Sequence, residues 1–189
     1  MEDNIIEKIL DKNKNYNFLD IDTLLEIFND SGISYYPYSA EAVEAKEKTV
    51  GAIPKLLKEY FLKIGRIKKT DEDEEDDDEY SYDMLEDSAG CYIKELEDIS
   101  ILTDKELKEN YGDGAENEED DYLVFGFEMI SREEFAIKLK DINEENPDIF
   151  SSEEVSGIIK ETGKVFGILK DTRTLKEFFS LMALSAYEA

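Results

Sequence analysis

The stretch Ile53 to Gly65, IPKLLKEYFLKIG, carries the strongest structural signal in the chain. Pro54 suits a first helical position, because its φ is fixed and it has no N–H to leave unpaired. The apolar residues that follow recur at the spacing of one helical face: Leu56, Leu57, Tyr60, Phe61 and Ile64. Gly65 comes next, in the place of a left-handed residue that ends a helix. The stretch therefore predicts a helix whose apolar face packs into the core.

Upstream of this helix, the spacing of apolar residues predicts further short helices joined by polar turns. Two short apolar stripes support this: Ile5, Ile6, Ile9 and Leu10 in the first, and Ile21, Leu24, Leu25 and Phe28 in the second. Asn29 to Gly32 has the composition of a turn and closes the second stripe. Residues 40 to 49 predict one more helix with little apolar face. About residues 1 to 50 are thus expected to form a helical N-terminal part.

Three tyrosines, Tyr35, Tyr36 and Tyr38, flank Pro37 in a segment that predicts extended backbone. Tyrosine is enriched at protein interfaces because it combines a large apolar ring with a polar tip. The three residues are therefore candidate partner-binding residues. The alternative is that they cover the edge of the core.

The net charge favours some classes of binding partner and disfavours others. It has 49 acidic and 22 basic residues, which gives a formal net charge of -27. Such a field repels nucleic acid and anionic membranes and attracts basic proteins or cations. The sequence therefore predicts a basic protein partner, with no binding to nucleic acid or to a membrane. The alternative is that the charge only keeps the protein soluble.

The longest acidic run, DEDEEDDDE, extends from residue 71 to residue 79, within an insertion of about residues 70 to 88. Adjacent like charges repel and no apolar side chain offsets the ordering of the backbone, so a solvated loop or disordered insertion is expected. A calcium-attracting patch or a decoy for a basic surface are the functional alternatives, although the EF-hand spacing is missing. The acidic candidates for partner binding are Asp71, Glu72, Asp73, Glu74, Glu75, Asp76, Asp77 and Asp78, with Glu118, Glu119, Asp120 and Asp121 in a second cluster.

Histidine and tryptophan are absent, and Cys91 is the single cysteine. The absence of histidine excludes Ser-His and Cys-His nucleophile pairs and HExxH-type zinc sites. One thiol allows no internal disulfide and fits a reducing compartment. No apolar run reaches the length of a membrane span, and the N-terminus lacks the pattern of a secretion signal. We expect a cytoplasmic protein, and an enzyme of this composition would have to work with carboxylates, lysine, tyrosine or a hard metal ion.

Downstream of residue 90 the pattern predicts strands. The runs CYI at 91–93, YLVFGF at 122–127 and KVFGILKD at 164–171 are candidates, and the second has the composition of a central strand. The run EEFAIKLKD at 133–141 predicts a half-buried strand, because its side chains alternate. Its two faces are Phe135, Ile137 and Leu139 on one side and Ala136, Lys138 and Lys140 on the other.

Two capping boxes predict helix starts in the second half of the chain. The first pairs Thr103 with Glu106, and the second pairs Thr174 with Glu177 before a long apolar stripe. Helices followed by successive strands and a final helix indicate an α+β fold. We expect a single domain over residues 1–189, with a mostly antiparallel mixed sheet flanked by helices.

The order of these elements resembles that of the SUKH superfamily, which includes fungal Smi–Knr cell-wall-synthesis regulators and many bacterial immunity proteins. Ile53-Pro54 stands for the family's Leu-Pro, Tyr60 to Leu62 for the end of its helix, and Gly65 for the closing glycine. The runs YLVFGFE, EEFAIKLKD, NPDIF, GKVFGILKD and TRTLKEFFSLMA are similar to the strands and closing helix that follow, from about residue 40 to the end. Arg66 replaces the second glycine of the family's Gly-Gly, and no tryptophan is present, which suggests a divergent member.

The resemblance implies a binding protein and not an enzyme, with no catalytic residues, no bound metal and no cofactor. The expected role is that of an immunity protein that neutralises a cognate toxin, often a nuclease, by direct binding. The acidic charge suits this, because a nuclease site that attracts phosphate is typically basic. The alternative is an intracellular regulatory or scaffold protein of the same fold that recruits basic client proteins. A carboxylate-based, metal-dependent hydrolase is the enzymatic alternative, and it lacks both histidine and a recognisable ligand spacing.

Overall fold

The computed structural model describes residues 20–68, 91–103, 105–106, 120–128, 134–153 and 167–188. The helices within these ranges are α1 (Ile21–Asp30), α2 (Ala40–Val50), α3 (Lys55–Lys63) and α4 (Leu175–Glu188). The strands are β1 (Ser34–Tyr36), β2 (Arg66–Lys68), β3 (Cys91–Ile93), β4 (Ser100–Leu102), β5 (Tyr122–Glu128), β6 (Glu134–Lys138), β7 (Asp148–Glu153) and β8 (Gly167–Thr174), with a 3-10 turn at Leu139–Asp141. The predicted α+β class is confirmed. The stripe at residues 5–10 lies outside the described residues.

The strands form two sheets, and every pairing among the described residues is antiparallel. β1 and β2 make a two-stranded ribbon, and the other six strands make one sheet in the order β3-β5-β6-β7-β8. β4 also pairs with β5, so β3 and β4 lie end to end along one edge of it. The prediction that YLVFGF forms a central strand is confirmed, because β5 has paired neighbours on both sides.

The predicted helix after Ile53 is confirmed as α3, with one difference at its start. Pro54 has an extended ψ of 142° and caps the helix, and its carbonyl accepts the first bond, from the Lys58 N–H at 3.0 Å. At the other end Gly65 has φ 70°. A Cβ at this position would lie 2.3 Å from the Tyr36 carbonyl oxygen, so both the backbone angle and the close approach require glycine.

The core lies between the helices and one face of the large sheet. Phe178 of α4 packs edge-on against Phe125 of β5 and Phe135 of β6, with ring centroids 5.3 Å apart in each pair. Phe179 contacts Tyr60 of α3 at 5.6 Å. The apolar face of α3 is therefore in the core, as predicted, and its residues there are Leu57, Tyr60, Phe61 and Ile64.

The other face of the sheet carries a second, smaller apolar cluster. It consists of Tyr122, Val124, Ala136 and Phe150, with Leu102 partly buried against it. The prediction that β6 is half-buried is wrong: all four residues from Phe135 to Lys138 are buried. Ala136 is covered because its cross-strand partners are Val124 on one side and Phe150 on the other. Leu139 and Lys140 belong to the 3-10 turn and not to the strand.

Both predicted capping boxes form. The Thr103 N–H and hydroxyl bond to the Glu106 carboxylate at 2.9 and 2.7 Å, and the Glu106 N–H donates back to the Thr103 hydroxyl at 3.2 Å. Thr174 and Glu177 repeat the arrangement at 2.6, 2.8 and 3.4 Å, and α4 follows. These reciprocal bonds satisfy backbone donors that the first turn of a helix leaves unpaired.

Candidate partner-binding surface

The tyrosine ribbon, which we define as residues 34–38 with β2, gives the three candidate tyrosines different environments. Tyr35 is half-buried, pairs with Ile67 and packs against the core. Tyr36 pairs with Arg66 and is 54% exposed. Tyr38 follows the strand, and its N–H donates to the Phe61 carbonyl at 2.9 Å. Of the three, Tyr36 is the most exposed to solvent.

The Tyr38 hydroxyl joins the ribbon to the edge of the large sheet. It donates to Glu97 Oε2 at 2.9 Å and accepts from Arg66 Nε at 2.9 Å and from the Leu96 N–H at 3.2 Å. Burial raises the pKa of Tyr38 to about 12, although the bonds from Leu96 and Arg66 act in the opposite direction. The hydroxyl therefore stays protonated at neutral pH and can both donate and accept.

Arg66 is the central cation of this network. Its Nη2 lies 2.7 Å from Glu97 Oε1 and its Nε 3.3 Å from Glu95 Oε2. Its guanidinium carbon is 5.0 Å from the centre of the Tyr38 ring, which is cation–π distance. The hydrogen bond to Tyr38 and the charges of the two carboxylates hold the Arg66 pKa above its ordinary value.

The two glutamates of this network titrate differently. Burial raises the pKa of Glu95, and the negative charges of Glu97 and Asp98 add to this effect, while Arg66 opposes it. For Glu97 burial is also the largest single effect, but its hydrogen bonds and the Arg66 charge together outweigh it and lower the pKa. Glu97 is therefore the carboxylate that the network favours in its charged form.

Glu95 and Glu97 belong to the β3–β4 loop, residues 94–99. This loop connects β3 to β4 and runs away from the edge of β5, with which both short strands pair. The Lys94 N–H still bonds the Phe125 carbonyl at 2.8 Å, and Leu96 and Ile99 are buried. Lys46 of α2 donates to the Glu97 carbonyl at 2.7 Å. Contacts from α2 and from the ribbon thus hold the loop in one position, with Glu97 and Asp98 exposed and Glu95 mostly buried.

Asp120 and Asp121, from the second acidic cluster, have different surroundings. Asp120 is 15% exposed, and its Oδ2 lies 2.7 Å from Lys140 Nζ and 3.1 Å from Lys138 Nζ. Lys138 is buried, with its Nζ 4.7 Å from the centre of the Phe150 ring. Asp121 is exposed, and its carbonyl accepts from the Leu139 N–H at 2.9 Å. Asp120 therefore fixes the start of β5, and Asp121 is the more exposed of the two residues.

The remaining acidic candidates, residues 71–78 with Glu118 and Glu119, lie outside the described residues. Their points of attachment to the fold are described. The first segment enters the large sheet at Cys91, which pairs with Glu128, and the second leads into Tyr122. Glu128 and Tyr122 are the two ends of β5, about 20 Å apart at about 3.4 Å per residue. The two acidic segments therefore join the sheet at opposite ends of one strand.

The sequence did not point to the charged residues that contact the candidate side chains Tyr38 and Asp120. Arg66, Glu95 and Glu97 of the ribbon network and Lys138 of the second sheet face were not selected. The run KELED at 94–98 carried a signal, since it places three carboxylates close together after a predicted strand. Their convergence on Tyr38 depends on contacts 28 to 59 residues apart, which no local pattern contains.

Within the described ranges, no group of three or more His, Cys, Asp and Glu side chains is arranged to hold a metal ion. In the same part of the chain, no helix combines the length and the apolar character needed to cross a bilayer. Comparisons of the chain with family models, curated proteins and solved structures found no match. The resemblance to the SUKH superfamily thus stays a prediction from sequence motifs.

Proposed function

We propose that this chain is a non-catalytic protein-binding module that captures a basic partner, most consistent with an immunity protein that neutralises a cognate toxin domain by direct binding in the cytoplasm. The observation that carries the proposal is the net charge of -27. A field of this size attracts a basic protein over distances longer than contact and raises the association rate. The SUKH-like order of elements supports the immunity role.

The distribution of charge supports capture by an extended acidic surface. Residues 69–90 contain twelve acidic residues and one basic residue, and residues 104–121 contain nine acidic and two basic residues. These segments join opposite ends of β5. The β3–β4 loop, between those ends along the same strand edge, adds Glu95, Glu97 and Asp98. The points where both acidic segments join the sheet and the carboxylates of this loop thus lie along one edge, which supports an acidic binding surface there.

The direct test is co-expression with any toxin domain that a neighbouring gene encodes. We expect the protein to protect cells and to bind the purified domain with an association rate that falls steeply as salt is added, because salt screens charge. Failure to protect against every adjacent toxin domain would refute the immunity role.

A charge variant tests the role of the acidic run. Replacement of residues 71–78 by serine and glycine removes eight charges, and we expect the association rate at low salt to fall about tenfold or more. The matched control exchanges Asp for Glu and Glu for Asp over the same residues, which keeps every charge and should leave the rate unchanged. Equal rates for both variants would show that the run only solubilises the chain.

A regulatory scaffold is distinguished by the number of its partners. An immunity protein should retain one toxin domain after a wash at physiological salt. A scaffold should retain several unrelated basic proteins of the host cell, each with similar salt sensitivity. Affinity purification at two salt concentrations, followed by mass spectrometry, separates these outcomes.

A further inference from the structure

We draw no further inference here: the strongest candidate, the second apolar cluster of Tyr122, Val124, Ala136 and Phe150 on the large sheet, carries nothing, because nothing in the described part of the structure shows what covers it.

Discussion

Replacement of Gly65 by alanine should destabilise the protein more than the same change at another glycine with a similar backbone angle. Gly65 has φ 70° and Gly32 has φ 72°, so alanine is placed in the left-handed region at both positions. A Cβ at Gly65 would lie 2.3 Å from the Tyr36 carbonyl oxygen and 2.9 Å from the Pro37 Cα, whereas nothing lies within 4 Å at Gly32. The pair therefore separates backbone strain from steric overlap.

The expected free energies follow from these two contributions. The left-handed conformation costs an alanine about 1 kcal/mol, which applies to both variants. At Gly65 the neighbours are backbone atoms, which cannot turn away as a side chain can, and overpacking of this kind costs about 1–3 kcal/mol. We expect Gly32→Ala to lower the free energy of unfolding by about 1 kcal/mol, and Gly65→Ala by about 2–4 kcal/mol.

Equilibrium unfolding in urea, followed by far-ultraviolet circular dichroism, measures this difference without a tryptophan signal. The variants share the loss of glycine freedom in the unfolded chain, so that effect cancels between them. Equal losses of stability, or a larger loss for Gly32→Ala, would contradict the close packing of α3 on the tyrosine ribbon.

Three further predictions concern the polar contacts. Tyr38→Phe removes a hydroxyl with three partners and should lower the free energy of unfolding by about 2 kcal/mol, measured in urea. Asp120→Asn removes a charge beside the buried Lys138 ammonium and should lower the thermal midpoint, by an amount that corresponds to about 3 kcal/mol. The Glu97 pKa is lowered in the folded state, so its contribution to stability is present above its ordinary pKa of 4.5 and is lost as pH falls through the folded value. The stability difference between wild type and Glu97→Gln should therefore shrink between pH 6 and pH 3 in urea titrations.

The first two of these predictions have a control within the chain. Tyr36→Phe removes an exposed hydroxyl and should change stability by less than about 0.5 kcal/mol. Asp121→Asn alters an exposed carboxylate next to Asp120 and should cost less than about 1 kcal/mol. For the pH series, a constant difference between wild type and Glu97→Gln at all pH values would show that the charge of Glu97 does not contribute to stability.

Sequence patterns were sufficient to predict an element where the deciding contacts join residues that are close together in the chain. Thr174 and Glu177 cap α4 through bonds between residues three apart, so the motif contains the whole interaction. α3 was predicted from its apolar spacing and Gly65, since a helical face is set by residues within a few turns. The α+β class followed from the order of such elements.

The same local reasoning was wrong for β6. Alternation of apolar and polar residues predicts one buried face, but Lys138 and Ala136 are buried as well. Alternation reports only the strand itself, whereas burial depends on the strands beside it, and Tyr122 and Phe150 come from β5 and β7. A long lysine stem can lie along such rings while its ammonium meets Asp120.

The sequence by itself determined the helices, the central strand and the excess of negative charge, because periodicity, caps and composition are properties of neighbouring residues. Only the tertiary structure decided which candidate side chains are exposed. Tyr36 and Asp121 are exposed, whereas Tyr38 is half-buried beside Arg66 and Asp120 is 15% exposed beside Lys138, and both of these partners are distant in the chain. The physical reason is that the surroundings of a polar side chain are set by the packing of remote elements, which the residues next to it in the chain do not specify.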